Sequence, residues 1–127
     1  MHNKLLDTIK FSEDGLIPVI AQQYDSKEIL MLAWMNRDAV CETLKTGCLH
    51  YFSRSRNQLW QKGEKSGQTQ ELVELCLDCD SDSLLALVNQ RGVACHTGRR
   101  SCFFMSVTLE GFSEKRKVLV EPEQLYG

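Results

Sequence analysis

The sequence has no apolar run near the roughly 20 residues a membrane helix needs, and Met1–Asp7 has no apolar core of the signal-peptide kind. We therefore expect a cytoplasmic chain without a membrane partner. The net charge is only −2, so no global basic field argues for nucleic acid. Any recognition of anions must come from local clusters. Internal repeats and low-complexity segments are absent, and so is the regular alternation of strand and helix that marks a doubly wound fold. At 127 residues the chain is long enough to bury a core of its own, and we read residues 1–127 as one domain. Six cysteines in a cytoplasmic protein should stay reduced, so they are thiols to be accounted for and not a disulfide framework.

What is present reads mostly as strands. A short helix fits Leu5–Lys10, followed by a turn at Glu13-Asp14-Gly15. Leu16–Tyr24 and Glu28–Met35 read as a hairpin, with Pro18 near the start of the first strand or on an edge. Asn36 is placed to cap a helix over Arg37–Thr46, with Gly47 as its stop. Cys48–Ser53, Leu59–Lys62, Gln70–Asp80, Leu84–Gln90 and Ser101–Leu109 complete the strands. The expected fold is mainly β (α+β), an antiparallel sheet or small barrel-like domain with one or two short helices.

The chemistry concentrates between Asp78 and Cys102, where hard and soft metal ligands are interleaved. Carboxylates suit Mg²⁺ or Ca²⁺, and thiolates suit Zn²⁺. If the strand persists through Asp82, Asp78, Asp80 and Asp82 share one face and Cys79 takes the other. Three like charges side by side call for a cation, although an acidic, solvated strand end is the plainer alternative. Cys76 reads as a small buried residue, since Cys76-Leu77-Asp78-Cys79 lacks the turn that a zinc knuckle needs. The loop containing Thr97, Gly98 and Ser101 can bring Cys95 and Cys102 together, and with Cys79 they would supply three zinc ligands. His96, beside such a site, is the natural general acid or base, whereas a lone His elsewhere is usually packing or surface. Arg54, Arg56, Arg99 and Arg100 could grip phosphate through forked donors or be ordinary surface charge. Tyr51, Phe52 and Trp60 read as core.

Five stretches resemble the motifs of the phosphoribosyl-AMP cyclohydrolase family, in the family's order and over roughly residues 16–107. They are Trp34-Met35-Asn36, Tyr51–Arg56, Leu59–Gly67, Asp78-Cys79-Asp80-Ser81-Asp82 and Cys95–Phe103. The resemblance implies hydrolysis of the N1–C6 bond of the adenine ring of 1-(5-phosphoribosyl)-AMP, the third step of histidine biosynthesis. It implies zinc on Cys79, Cys95 and Cys102 and magnesium on Asp78, Asp80 and Asp82. It also implies a homodimer of mainly β structure that shares its metal ligands between subunits. Arg54, Arg56, Lys62, Ser66 and Arg99, which lie within the matched stretches, are the candidate contacts to the substrate and its phosphates. The chain ends at Gly127 and so resembles the form without a second, pyrophosphohydrolase domain.

The chemistry agrees with the residues. A zinc-activated water would add to the electron-poor C6, as in the zinc nucleobase deaminases, whose H-x-E and P-C-x-x-C signatures are nevertheless absent here. A zinc-stabilised nucleic-acid module would want four closed ligands and a basic face. A Mg²⁺-dependent pyrophosphohydrolase would want more Glu at helical spacing.

Overall fold

The computed structural model describes residues 3–126. Its elements run α1 (Asn3–Thr8), β1 (Ile17–Gln23), β2 (Ile29–Met35), α2 (Arg37–Thr46), β3 (His50–Ser53), β4 (Gln58–Gln61), β5 (Gln70–Leu77), β6 (Leu84–Gln90), β7 (Met105–Thr108), β8 (Gly111–Glu114) and α3 (Pro122–Tyr126). Four strands form the central sheet in the order β2-β1-β6-β5, while β3-β4 and β7-β8 are separate hairpins. The fold is a small α+β domain, with no closed barrel among the described residues.

Alternation builds one face of the sheet. Ile17, Val19 and Ala21 of β1 and Leu84, Ala86 and Val88 of β6 turn inward and are buried. Ala39 and Val40 of α2, with Leu49 and Tyr51, join them in the same core. The caps of α2 fall where the sequence places them. The Asn36 side chain accepts from the Ala39 amide at 2.9 Å, and Gly47, at φ 78°, donates its amide to the Thr43 carbonyl. Among the described residues, no helix is long and apolar enough to cross a membrane.

The expected fold class holds, and four details differ from the reading. The sheet is mixed, because β1 pairs with β6 in parallel. A pairing between strands so distant in sequence leaves no local signature. A third short helix, α3, forms in the charged tail. β5 stops at Leu77 and does not continue to Asp80. There the Asp78 carboxylate accepts from the amides of Asp82 (3.0 Å) and Ser83 (3.3 Å), and Ser81 takes φ 63°, so local side-chain bonds replace the ladder. The long last strand is likewise reduced to β7. Buried Ser101 donates its hydroxyl to the Ile29 carbonyl at 2.7 Å and accepts from the Phe103 amide at 3.0 Å, which uses up the bonding that would extend a strand.

Candidate active site

The β3-β4 hairpin, β2 and the turn after β4 wall an open cleft of about 1220 Å³, which is ample for a nucleotide-sized ligand. Arg54, Arg56, Lys62, Ser66 and His96 all line it. Arg54 and Arg56 come from the β3-β4 turn, where exposed Asn57 takes φ 51°. The Arg54 guanidinium lies over the Trp34 ring, 4.5 Å from its centroid, so its charge is seated on an aromatic floor.

Tyr51 is core, as expected. It is fully buried, its hydroxyl donates to Gln70 Oε1 at 2.6 Å, and burial holds its pKa well above the usual phenol value. Trp60 and Phe52 differ from the reading as core, because both are half-buried and line the cleft. Trp60 leans on Tyr51 at 5.3 Å with its other side toward the cleft. Trp34 was missed as a site residue. Its signal was its outward parity on β2, beside buried Met35. Arg99 does not line the cleft. It pairs with Glu114 at 2.9 Å, donates to the Arg116 carbonyl at 3.1 Å and lies over the Phe104 ring.

Cys95 and Cys102 are brought together. Cys95 is buried just past the end of β6, and the turn behind it closes through Gly98 N–H to the Cys95 carbonyl (3.0 Å) and Cys95 N–H to the Arg99 carbonyl (3.1 Å). The Thr97 hydroxyl lies 3.0 Å from the Cys95 sulfur. Gly98 is required there. It takes φ 86°, and a Cβ would come within 1.7 Å of the Val120 carbonyl oxygen. Cys102 is exposed as a residue, yet desolvation of its thiol, then the adjoining Cys95, push its pKa up to about 12. Lys62 pulls the other way, and its own pKa is lowered by burial, with the two thiols partly offsetting this. Two thiols in mutual contact beside a cation form a soft donor set of the kind that suits zinc.

Cys79 does not join them. Among the described residues, the only group of three or more potential ligands within 4.8 Å of one another is Asp78, Asp80 and Asp82. Cys79 sits in that turn, ahead of β6, while Cys95 follows the end of β6. Cys79 is therefore not within ligand distance of both of the other thiols among the described residues. The carboxylates converge although they share no strand face, because the Asp78 turn folds them back on one another. The Asp82 carboxyl is raised above its usual range, first by desolvation and then by Asp78 and Asp80. Cys76 is half-exposed rather than buried, with its thiol 3.3 Å from Glu74 Oε2.

An open cleft with an aromatic floor, several cationic donors and a histidine at its wall is the arrangement of an enzyme site. The model of the phosphoribosyl-AMP cyclohydrolase family matches residues 31–104. The chain is 57% identical over 124 residues to a phosphoribosyl-AMP cyclohydrolase of Granulibacter bethesdensis, covering 97% of each chain. It is 61% identical over 120 residues to one of Rhodospirillum rubrum, covering 94% of this chain and 84% of the other. The chain belongs to the phosphoribosyl-AMP cyclohydrolase family, and it is an enzyme of the hydrolase class.

Proposed function

We propose that residues 1–127 act as one cytoplasmic cyclohydrolase domain that opens the adenine ring of 1-(5-phosphoribosyl)-AMP in histidine biosynthesis. Water adds to C6, the N1–C6 bond breaks, and the departing N1 takes a proton. The observation that carries this reading is the convergence of Arg54, Arg56, Lys62, Ser66 and His96 on one cleft in a chain of this family.

His96, exposed at the cleft wall, moves the proton between the attacking water and N1. Arg54, held on Trp34, and Arg56 grip phosphate with their forked donors, and Ser66 adds a hydroxyl. The half-buried Trp34 and Trp60 offer ring faces against the base and keep water from its far side. Cys95 and Cys102, with Cys79, are the zinc ligands, and Asp78, Asp80 and Asp82 are the magnesium ligands. When bound, zinc supplies a Lewis acid that makes water nucleophilic at neutral pH, and magnesium supplies counter-charge for phosphate.

The separation of Cys79 from the other two thiols supports a zinc site shared across a homodimer. Cys79 does not group with the Cys95–Cys102 pair of its own chain among the described residues, and a two-fold partner can present its pair to Cys79. An apolar row suited to such a partner crosses the outward face of the sheet. Leu32 is registered with Ile20, Ile20 with Leu85, and Leu85 with Cys76. Leu32 is 47% and Ile20 37% exposed.

The test is to supply phosphoribosyl-AMP to the zinc- and magnesium-loaded protein and follow the adenine chromophore. A change of spectrum on ring opening is expected. An unaltered chromophore with intact substrate would remove the proposal.

A further inference from the structure

The segment from Gln90 to Ala94 leads directly into Cys95 and His96. Its backbone carbonyls receive almost none of their bonds from strand or helix. Each of the five consecutive carbonyls accepts instead from a side chain. Arg100 Nη1 donates to the carbonyls of Gln90 (3.2 Å) and Gly92 (2.7 Å). Gln90 Nε2 donates to those of Arg91 (2.9 Å) and Val93 (3.3 Å). Lys62 Nζ donates to that of Ala94 (2.6 Å). The loop is thus an irregular piece of backbone whose carbonyls are held by three side chains, while Gln68 Oε1 accepts from the Val93 amide at 2.9 Å.

Arg100 has the widest reach of the three. While one end of its guanidinium binds the loop, Nε pairs with Glu28 Oε1 at 3.1 Å, on the turn before β2. The second oxygen of Glu28 holds Arg116 at 2.6 Å. Arg100 also contributes its backbone carbonyl to the Ala94 amide at 3.1 Å. Its side chain is 24% exposed and that of Glu28 21%, so the pair is partly shielded from water. Three of the five guanidinium N–H donors, on Nε and Nη1, are thus committed to a carboxylate and two carbonyls. This sets Arg100 apart from Arg54 and Arg56, which line the cleft.

We propose that Arg100, aimed by Glu28, is a positioning residue. It holds the Gln90–Ala94 backbone so that the Cys95 thiol meets Cys102 and the His96 ring reaches the cleft. The catalytic meaning of this role rests on the function proposed above. The mechanical part does not. Small misplacements of a reacting group can cost about 10²-fold in rate without disturbing substrate binding.

The experiment compares Arg100→Gln, Arg100→Lys, Glu28→Gln and the double variant Arg100→Gln/Glu28→Gln in the zinc-loaded protein. Amide hydrogen exchange of peptides spanning 90–98 is read beside peptides of α2, and kcat and KM are measured separately. Exchange over 90–98 should quicken about tenfold or more in Arg100→Gln while α2 stays protected, since opening there becomes local. In the same variant kcat should fall by about 10- to 100-fold, with KM within about threefold of wild type. Glu28→Gln should move both quantities in the same direction by less. The double variant should cost less than the sum of the two single variants, because both remove the same Arg100–Glu28 contact. If Arg100→Gln does not fold, Arg100→Lys, which keeps a cation but loses the fork, decides by the same readouts. Unchanged exchange over 90–98, or a rise in KM alone with kcat preserved, would overturn the proposal and return Arg100 to phosphate binding. If the wild-type protein fails to turn over phosphoribosyl-AMP, the functional reading falls, and the exchange measurement still decides the positioning role.

Discussion

His96 and the thiol pair show how single residues acquire roles from their surroundings. An exposed histidine is ordinary, and this one matters because it follows a buried cysteine and lines the cleft that holds Arg54 and Arg56. His96→Asn should lower kcat by roughly 10²-fold while zinc content stays at the wild-type level. Unchanged kcat and an unchanged pH profile would exclude His96 from proton transfer. The thiols imply a pH dependence of metal uptake. In the metal-free chain Cys102 is raised to about 12, so it carries its proton throughout the neutral range. A metal must displace that proton, and affinity should therefore rise with pH by about tenfold per unit for each proton released. Competition with a chromophoric chelator between pH 6 and 8 measures the slope. A flat profile would show that Cys102 is not a ligand.

Two short turns carry predictions at the level of elements. The turn after β5 owes its shape to Asp78, whose carboxylate accepts the amides of Asp82 and Ser83. Asp80 accepts no such bond among the described residues, so Asp80→Asn should leave the turn intact. It should raise the Mg²⁺ concentration needed for half-maximal rate, with zinc unaffected. Zinc loss without a change in Mg²⁺ dependence would reverse the assignment. The turn after Cys95 is clamped by the tail, since the Leu119 and Val120 amides both donate to the Gly98 carbonyl. Gly98→Ala would combine a positive φ with a backbone clash. It should cost about 2–3 kcal/mol or more and lower Tm by roughly 10 °C. A Tm within about 2 °C of wild type would mean that the tail does not clamp this turn.

At the scale of the whole molecule, the proposed zinc site concerns how two copies assemble. Cys79 lies ahead of β6 and Cys95 beyond its end, and on the proposal above a second copy completes the site. Cys79→Ala and Cys102→Ala should each be inactive as pure dimers. When the two are mixed and refolded, a hybrid dimer would contain one doubly damaged site and one intact site. Random pairing makes about half the dimers hybrid, so about a quarter of wild-type activity should return. No recovery, with hybrids demonstrated by mass, would refute sharing between subunits.

Local physics made much of this legible in the sequence. Asn36 and Gly47 bound α2 because capping depends only on neighbouring backbone. β1 and β6 alternate in burial, a pattern that needs no knowledge of their partners, and β2 is a short apolar run after a turn. The ligand types, soft thiols and hard carboxylates, are properties of the residues themselves. What tertiary structure decided was placement. The parallel pairing of β1 with β6 joins segments with no local signal. The end of β5 at Leu77 depended on the Asp78 side chain outcompeting the ladder. Arg99 and Arg100 are adjacent and chemically alike, yet one turns to Glu114 and the other supports the loop before Cys95. That difference depends on which carboxylates and carbonyls the fold brings within about 3 Å of each guanidinium, and only the packed chain contains it.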